Sequence, residues 1–137
     1  MNASLAGIEL PADIQWTDEF SAWRVGQYVA TTLTGARVVQ ESALQAGRPI
    51  TLATVRGSRS LSAVVTLATL RQLQALESAP RSTPMVLVLP AHNSGSRSFD
   101  VLWRRSDGLA LEAAPLKHIV PAFDADLFSI TLRLMTA

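Results

Sequence analysis

Apolar and polar residues alternate most regularly near the C-terminal end of the chain. There Phe128, Ile130, Leu132 and Leu134 are separated by Ser129, Thr131 and Arg133. A period of two puts the four apolar side chains on one face, the pattern of a half-buried strand. Met85-Val86-Leu87-Val88-Leu89 is a continuous apolar run and predicts a strand. Ser98 to Arg104 predicts its partner, with Phe99, Val101 and Trp103 on one face, across the Asn93-Ser94-Gly95-Ser96 loop. Val25 to Thr34 is rich in β-branched and aromatic residues, Gly35 marks a turn, and Arg37 to Ser42 resumes a strand. Ile50, Leu52 and Val55 form a third segment with Pro49 at its start, where a missing N–H is tolerated. These three segments read as a meander. Ser106-Asp107-Gly108 is a turn, and Leu109 to His118 is a weaker strand interrupted by Pro115.

The period changes once. Leu67, Leu70, Leu73 and Leu76 recur at helical spacing, with Arg71, Gln72 and Gln74 between them. Thr66 or Ser62 supplies an N-cap, and Ser78-Ala79-Pro80 ends the helix, because a residue before proline avoids the helical region. One apolar stripe implies one buried face, so the helix is expected to lie on the sheet. At the other end, Met1 to Asp13 reads as an extended arm, Ile14 to Thr17 as a short strand, and Asp18 to Ser21 as a turn. The pattern therefore predicts a single domain over 1–137, mainly β with one α-helix.

Composition narrows the class. Hydrophobic residues make up 48% and charged residues 17% of the 137, which excludes a disordered chain. A chain of this length buries enough surface for a core without staples. The low charge suggests that part of the surface is covered by other subunits. A net charge of +1 gives no electrostatic case for nucleic acid or an anionic membrane. The longest apolar stretches fall far short of the ~20 residues that span a bilayer. The N-terminus has no positive segment followed by an apolar run, so no signal peptide is expected, and the chain is expected to be made in a cytoplasm.

Catalytic chemistry is sparse. The chain has no cysteine, which removes disulfides, thiol catalysis and thiolate zinc sites. His92 and His118 are not paired at a ligand spacing, and Asp18-Glu19 and Asp124-Ala125-Asp126 sit where turns place acids. No Gly-x-Ser-x-Gly elbow occurs, and Gly57-Ser58-Arg59-Ser60 lacks the lysine of a phosphate loop. The arginines, Arg48, Arg97, Arg104 and Arg105 among them, are dispersed and read as solvated strand and loop positions. No enzymatic activity, cofactor or metal is expected. Trp16, Phe20 and Trp23 fall within a short, otherwise polar segment. They read either as the domain's own end cap or as a subunit contact.

Four pieces, in order, carry a resemblance. They are Leu10-Pro11 with Trp16-Thr17-Asp18-Glu19-Phe20, then Thr32-Leu33-Thr34-Gly35, Gly47-Arg48-Pro49-Ile50-Thr51-Leu52, and Thr131-Leu132-Arg133-Leu134. Together they resemble small proteins encoded in the tail-gene clusters of long, non-contractile-tailed bacteriophages, which are similar to distal tail (baseplate) proteins. The resemblance spans most of the chain. One departure is the stretch Gly57 to Leu61, where an aromatic would be expected. The resemblance implies a β-sandwich or split barrel of the tail-tube type with one flanking helix. It implies a ring, usually of six copies, in the virion between the tail tube protein and the baseplate hub. The aromatic segment and the Gly35 to Gly47 hairpin would then contribute contacts, with Trp16, Phe20, Trp23, Gly35, Arg37 and Arg48 as candidate interface residues. Two other readings stay open: a ligand-binding β-barrel with Trp16, Trp23 and Trp103 around a pocket, and a tube or tail-completion protein elsewhere on the tail.

Overall fold

The structure, a computed structural model, describes residues 3–21, 24–55, 63–80, 82–91, 95–117 and 123–137. It is mainly β with a single helix. Strands β1 (Ala3–Leu5), β2 (Ile8–Leu10), β3 (Gln15–Trp16), β4 (Val25–Thr31), β5 (Arg37–Ala43), β6 (Pro49–Ala53) and β7 (Val65–Thr66) precede helix α1 (Leu67–Glu77). Strands β8 (Met85–Pro90), β9 (Ser96–Trp103), β10 (Leu111–Pro115) and β11 (Leu127–Thr136) follow it.

Nine strands form one antiparallel sheet in the order β2-β1-β8-β9-β11-β6-β3, with β10 and β7 also pairing β11. The long C-terminal strand is the hub. Its two halves use different neighbours: β7 and β10 near Leu127 and Phe128, then β6 and β9 toward Thr136. The period of two read in the sequence is what the fold uses, since Ile130, Leu132 and Leu134 are all buried. Leu134 faces both Ile50 and Trp103 across the ladders, and Leu132 faces Leu52. With Leu5, Leu10, Met85, Leu87 and Val101 these residues make one continuous core.

The helix forms where the period predicts. Thr66 is the N-cap, its hydroxyl accepting from the Thr69 N–H, and the Ser78 N–H closes the last turn on the Gln74 carbonyl. Leu73 is fully buried and Leu70 and Leu76 are half-buried, so the stripe lies on the sheet, against β2, β7, β10 and β11. Ser62 lies outside the described residues.

Two expectations need correction. Residues 3–10 are not an extended arm but a hairpin that continues the sheet beyond β8 and buries Ala3, Leu5 and Leu10. Its loop is Ala6-Gly7, both with positive φ (51° and 84°), the two-residue turn whose twist matches that of paired strands. The three central segments are not a meander either. The first two, β4 and β5, pair only with each other, while β6 sits between β11 and β3 in the main sheet.

Candidate assembly surface

Strands β4 and β5 pair over seven residues each, from Val25 opposite Ala43 to Thr31 opposite Arg37. The resulting ribbon stands apart from the nine-stranded sheet. Alternation divides its side chains between two faces. One carries Val25, Gln27, Val29 and Thr31 opposite Ala43, Glu41, Val39 and Arg37; the other carries Tyr28 and Ala30 opposite Gln40 and Val38. Both faces are solvated. Tyr28 is 65% exposed, Val39 52% and Leu44 54%. An isolated two-stranded ribbon is at best marginally stable in water, and this one carries exposed apolar residues on both of its sides.

The tip is a three-residue loop. The Gly35 N–H donates to the Thr32 carbonyl at 3.0 Å and the Thr32 N–H to the Ala36 carbonyl at 2.8 Å. Gly35 takes φ +86°, the left-handed position that such a loop requires. The Thr32 hydroxyl adds contacts to Thr34 Oγ1 and the Ala36 carbonyl. This frame holds Leu33 fully in solvent, at 107% exposure.

Both legs of the ribbon are tied down at its base. On the exit leg, the N–H of Gly47 donates to the Thr136 carbonyl, the N–H of Arg48 to Thr136 Oγ1, and the N–H of Thr136 to the Arg48 carbonyl, each at 2.9 Å. On the entry leg, Asp18 is the acceptor that fixes the Asp18–Ser21 turn. Its Oδ1 accepts from the Trp16 indole at 2.8 Å and from the Thr51 N–H at 2.9 Å, and its Oδ2 accepts from the Thr51 hydroxyl at 2.9 Å. Arg48 links the two legs. Its Nη2 donates to the Glu19 carbonyl at 2.8 Å, and its guanidinium stands 4.7 Å from the Trp16 ring centre. Arg97 stands 5.3 Å from the same ring and pairs with the Glu19 carboxylate. Phe99 meets Trp16 edge-on, with centroids 5.5 Å apart. Arg104, its side chain only 13% exposed, donates to Thr51 Oγ1 at 2.9 Å and pairs with Asp107 at 3.0 Å. Guanidinium groups stacked on an indole and bonded to fixed acceptors hold a junction by directional contacts rather than by bulk burial.

The predicted site residues thus separate into three places. Trp16 and Arg48 meet in the clasp at the ribbon's base. Gly35 and Arg37 lie at its tip. Phe20 projects from the entry turn at 92% exposure, and Trp23 lies outside the described residues. The hairpin expected over Gly35 to Gly47 is in fact Val25 to Ala43, turning at Thr32–Ala36. Trp103 is a core residue at 6% exposure, bordering a small cleft of about 130 Å³ with Met85, Leu102, Arg105 and Met135. Arg48, Arg97 and Arg104, read from the sequence as solvated positions, are bonded in the clasp, although the Arg97 side chain keeps 38% exposure. Sequence reasoning missed them because Arg97 and Glu19 are 78 residues apart. His92 and His118 lie outside the described residues. Asp124 and Asp126 occupy one turn, closed by the Asp126 N–H on the Phe123 carbonyl and the Phe123 N–H on Asp126 Oδ2.

Compared with known proteins, the chain matches no family model, no curated protein and no solved structure. No helix among the described residues is long and apolar enough to cross a membrane.

Proposed function

We propose that this chain is a structural subunit that assembles with copies of itself, as a ring component at the distal end of a long, non-contractile phage tail. The observation that carries assembly is the ribbon β4–β5, with exposed apolar residues on both faces and anchored to the body by a clasp at its base. A subunit that closes a ring presents one patch to a different patch of its neighbour, and a projecting, pre-shaped ribbon suits that role. The place in the tail rests on the resemblance of the Trp16–Phe20, Thr32–Gly35, Gly47–Leu52 and Thr131–Leu134 segments to distal tail proteins. In that reading the nine-stranded sheet and its one helix are a tail-tube-type sandwich or split barrel. The ring, a hexamer, joins the tube to the hub in the virion, and the role is mechanical rather than catalytic.

Light scattering after size exclusion tests assembly: a ring has several times the 14.7 kDa mass of the monomer. Cryo-microscopy of the intact particle tests position. The expected density is a rotationally symmetric ring at the tail end; a chain found outside the tail, or in single copies, refutes the reading.

A further inference from the structure

A second apolar feature lies on the body. Pro115, Leu116, Lys117, Asp126, Leu127 and Phe128 border a cleft of about 230 Å³ where the end of β10 meets the start of β11. Its apolar walls are open to solvent: Leu116 is 39% exposed and Leu127 44%, and the nearby Phe123 is 65% exposed. The four carbons of a leucine side chain fit such a cleft.

We infer that the cleft receives the ribbon tip of a second copy of this chain, with Leu33 in the cleft and Arg37 beside Asp124 and Asp126. The inference rests on the reading of the chain as an assembling subunit and names the two surfaces that meet. Two observations carry it. Leu33 is the most exposed large apolar side chain among the described residues, and the hydrogen-bonded loop holds it outward before contact, which removes an ordering cost on binding. Charge matches at one pair. Arg37, at the last pair of the ribbon, has no ion-pair partner among the described residues, and the turn beside the cleft carries Asp124 and Asp126, with Lys117 and Arg71 as the neighbouring cations. Asp124 is open to a partner, with its side chain 77% exposed and its nearest cation, Arg71, 3.9 Å away. Because tip and cleft are different patches, the contact is head-to-tail, the kind that propagates into a closed ring.

The absence of cysteine makes a clean test possible. Leu33→Cys and Leu127→Cys proteins are prepared separately, then treated with a short bis-maleimide alone and as an equal mixture. Both positions are solvated, so both variants are expected to fold. The mixture is expected to give at least tenfold more cross-linked dimer than either variant alone. Leu33→Cys protein that cross-links by itself as efficiently as the mixture indicates tip-to-tip contact and overturns the inference. So does a mixture that does not cross-link. Light scattering on the unmodified protein separates the two levels. Assembly without the mixed cross-link removes this contact and leaves the ring reading standing; a monomer at every concentration, without the cross-link, removes both.

Discussion

Gly35 and Arg48 show how single residues serve the ribbon in different ways. At Gly35 nothing lies within 4 Å of where a Cβ would stand, yet φ is +86°. The cost of Gly35→Ala is therefore backbone strain alone, about 1 kcal/mol. The strain falls on the tip, which carries no core side chain. Hydrogen exchange of the β4 and β5 amides is expected to accelerate about fivefold, with the urea midpoint of the body unchanged. Arg48 acts at the base. Removing it deletes a stacked guanidinium and a charge-assisted hydrogen bond to the Glu19 carbonyl. Arg48→Ala is expected to cost about 1–3 kcal/mol in urea melts followed by tryptophan fluorescence. Lysine at this position is expected to recover less than half, because an ammonium lacks the planar fork that both stacks and donates. Full recovery by lysine shows that charge alone matters there.

Elements were legible in proportion to how long and how regular their patterns are. Helix α1 and strand β11 could be read from spacing alone, because eleven and ten residues show several full periods. Leu73→Ala is accordingly expected to cost about 2–5 kcal/mol, since its side chain is fully buried between helix and sheet. An unfolding free energy from urea melts within about 0.5 kcal/mol of the parent contradicts that placement. Strands of three residues, β1 and β2, are too short to show a period, and the one available signal, Ala6-Gly7, is a weak form of the usual Asn-Gly turn. The two strands of the ribbon and the turn at Gly35 were legible, but not that they pair apart from β6. Val25, Tyr28, Val29, Val38 and Val39 have the composition of core strands, and composition does not say whether the covering layer belongs to the same molecule. The clasp was half legible: Trp16 stood out by type and Arg48 only through the resemblance, but Asp18–Thr51 and Glu19–Arg97 are products of topology.

At the scale of the whole molecule, the proposed function assigns stability to the body and assembly to the ribbon. A charge on the ribbon, as in Val29→Glu, is expected to leave monomer stability within about 0.5 kcal/mol, because Val29 is 45% exposed and outside the core. The same change is expected to shift the light-scattering mass toward 14.7 kDa. Loss of folding in this variant means that the ribbon supports the body and contradicts the division. The central position of β11 bears on timing. It follows in the chain every one of the strands it joins, β6, β7, β9 and β10. At about 5–20 residues per second, the ribosome exposes β6 several seconds before its partner emerges. Until then Ile50 and Leu52 lack the strand that carries Leu134 and Leu132, and β6 has only the two-residue β3 to pair with. A fragment ending at residue 126 is therefore expected to stay unfolded, with no dispersed amide spectrum. The nascent chain passes through an interval in which its apolar strands are open to chaperones and to one another.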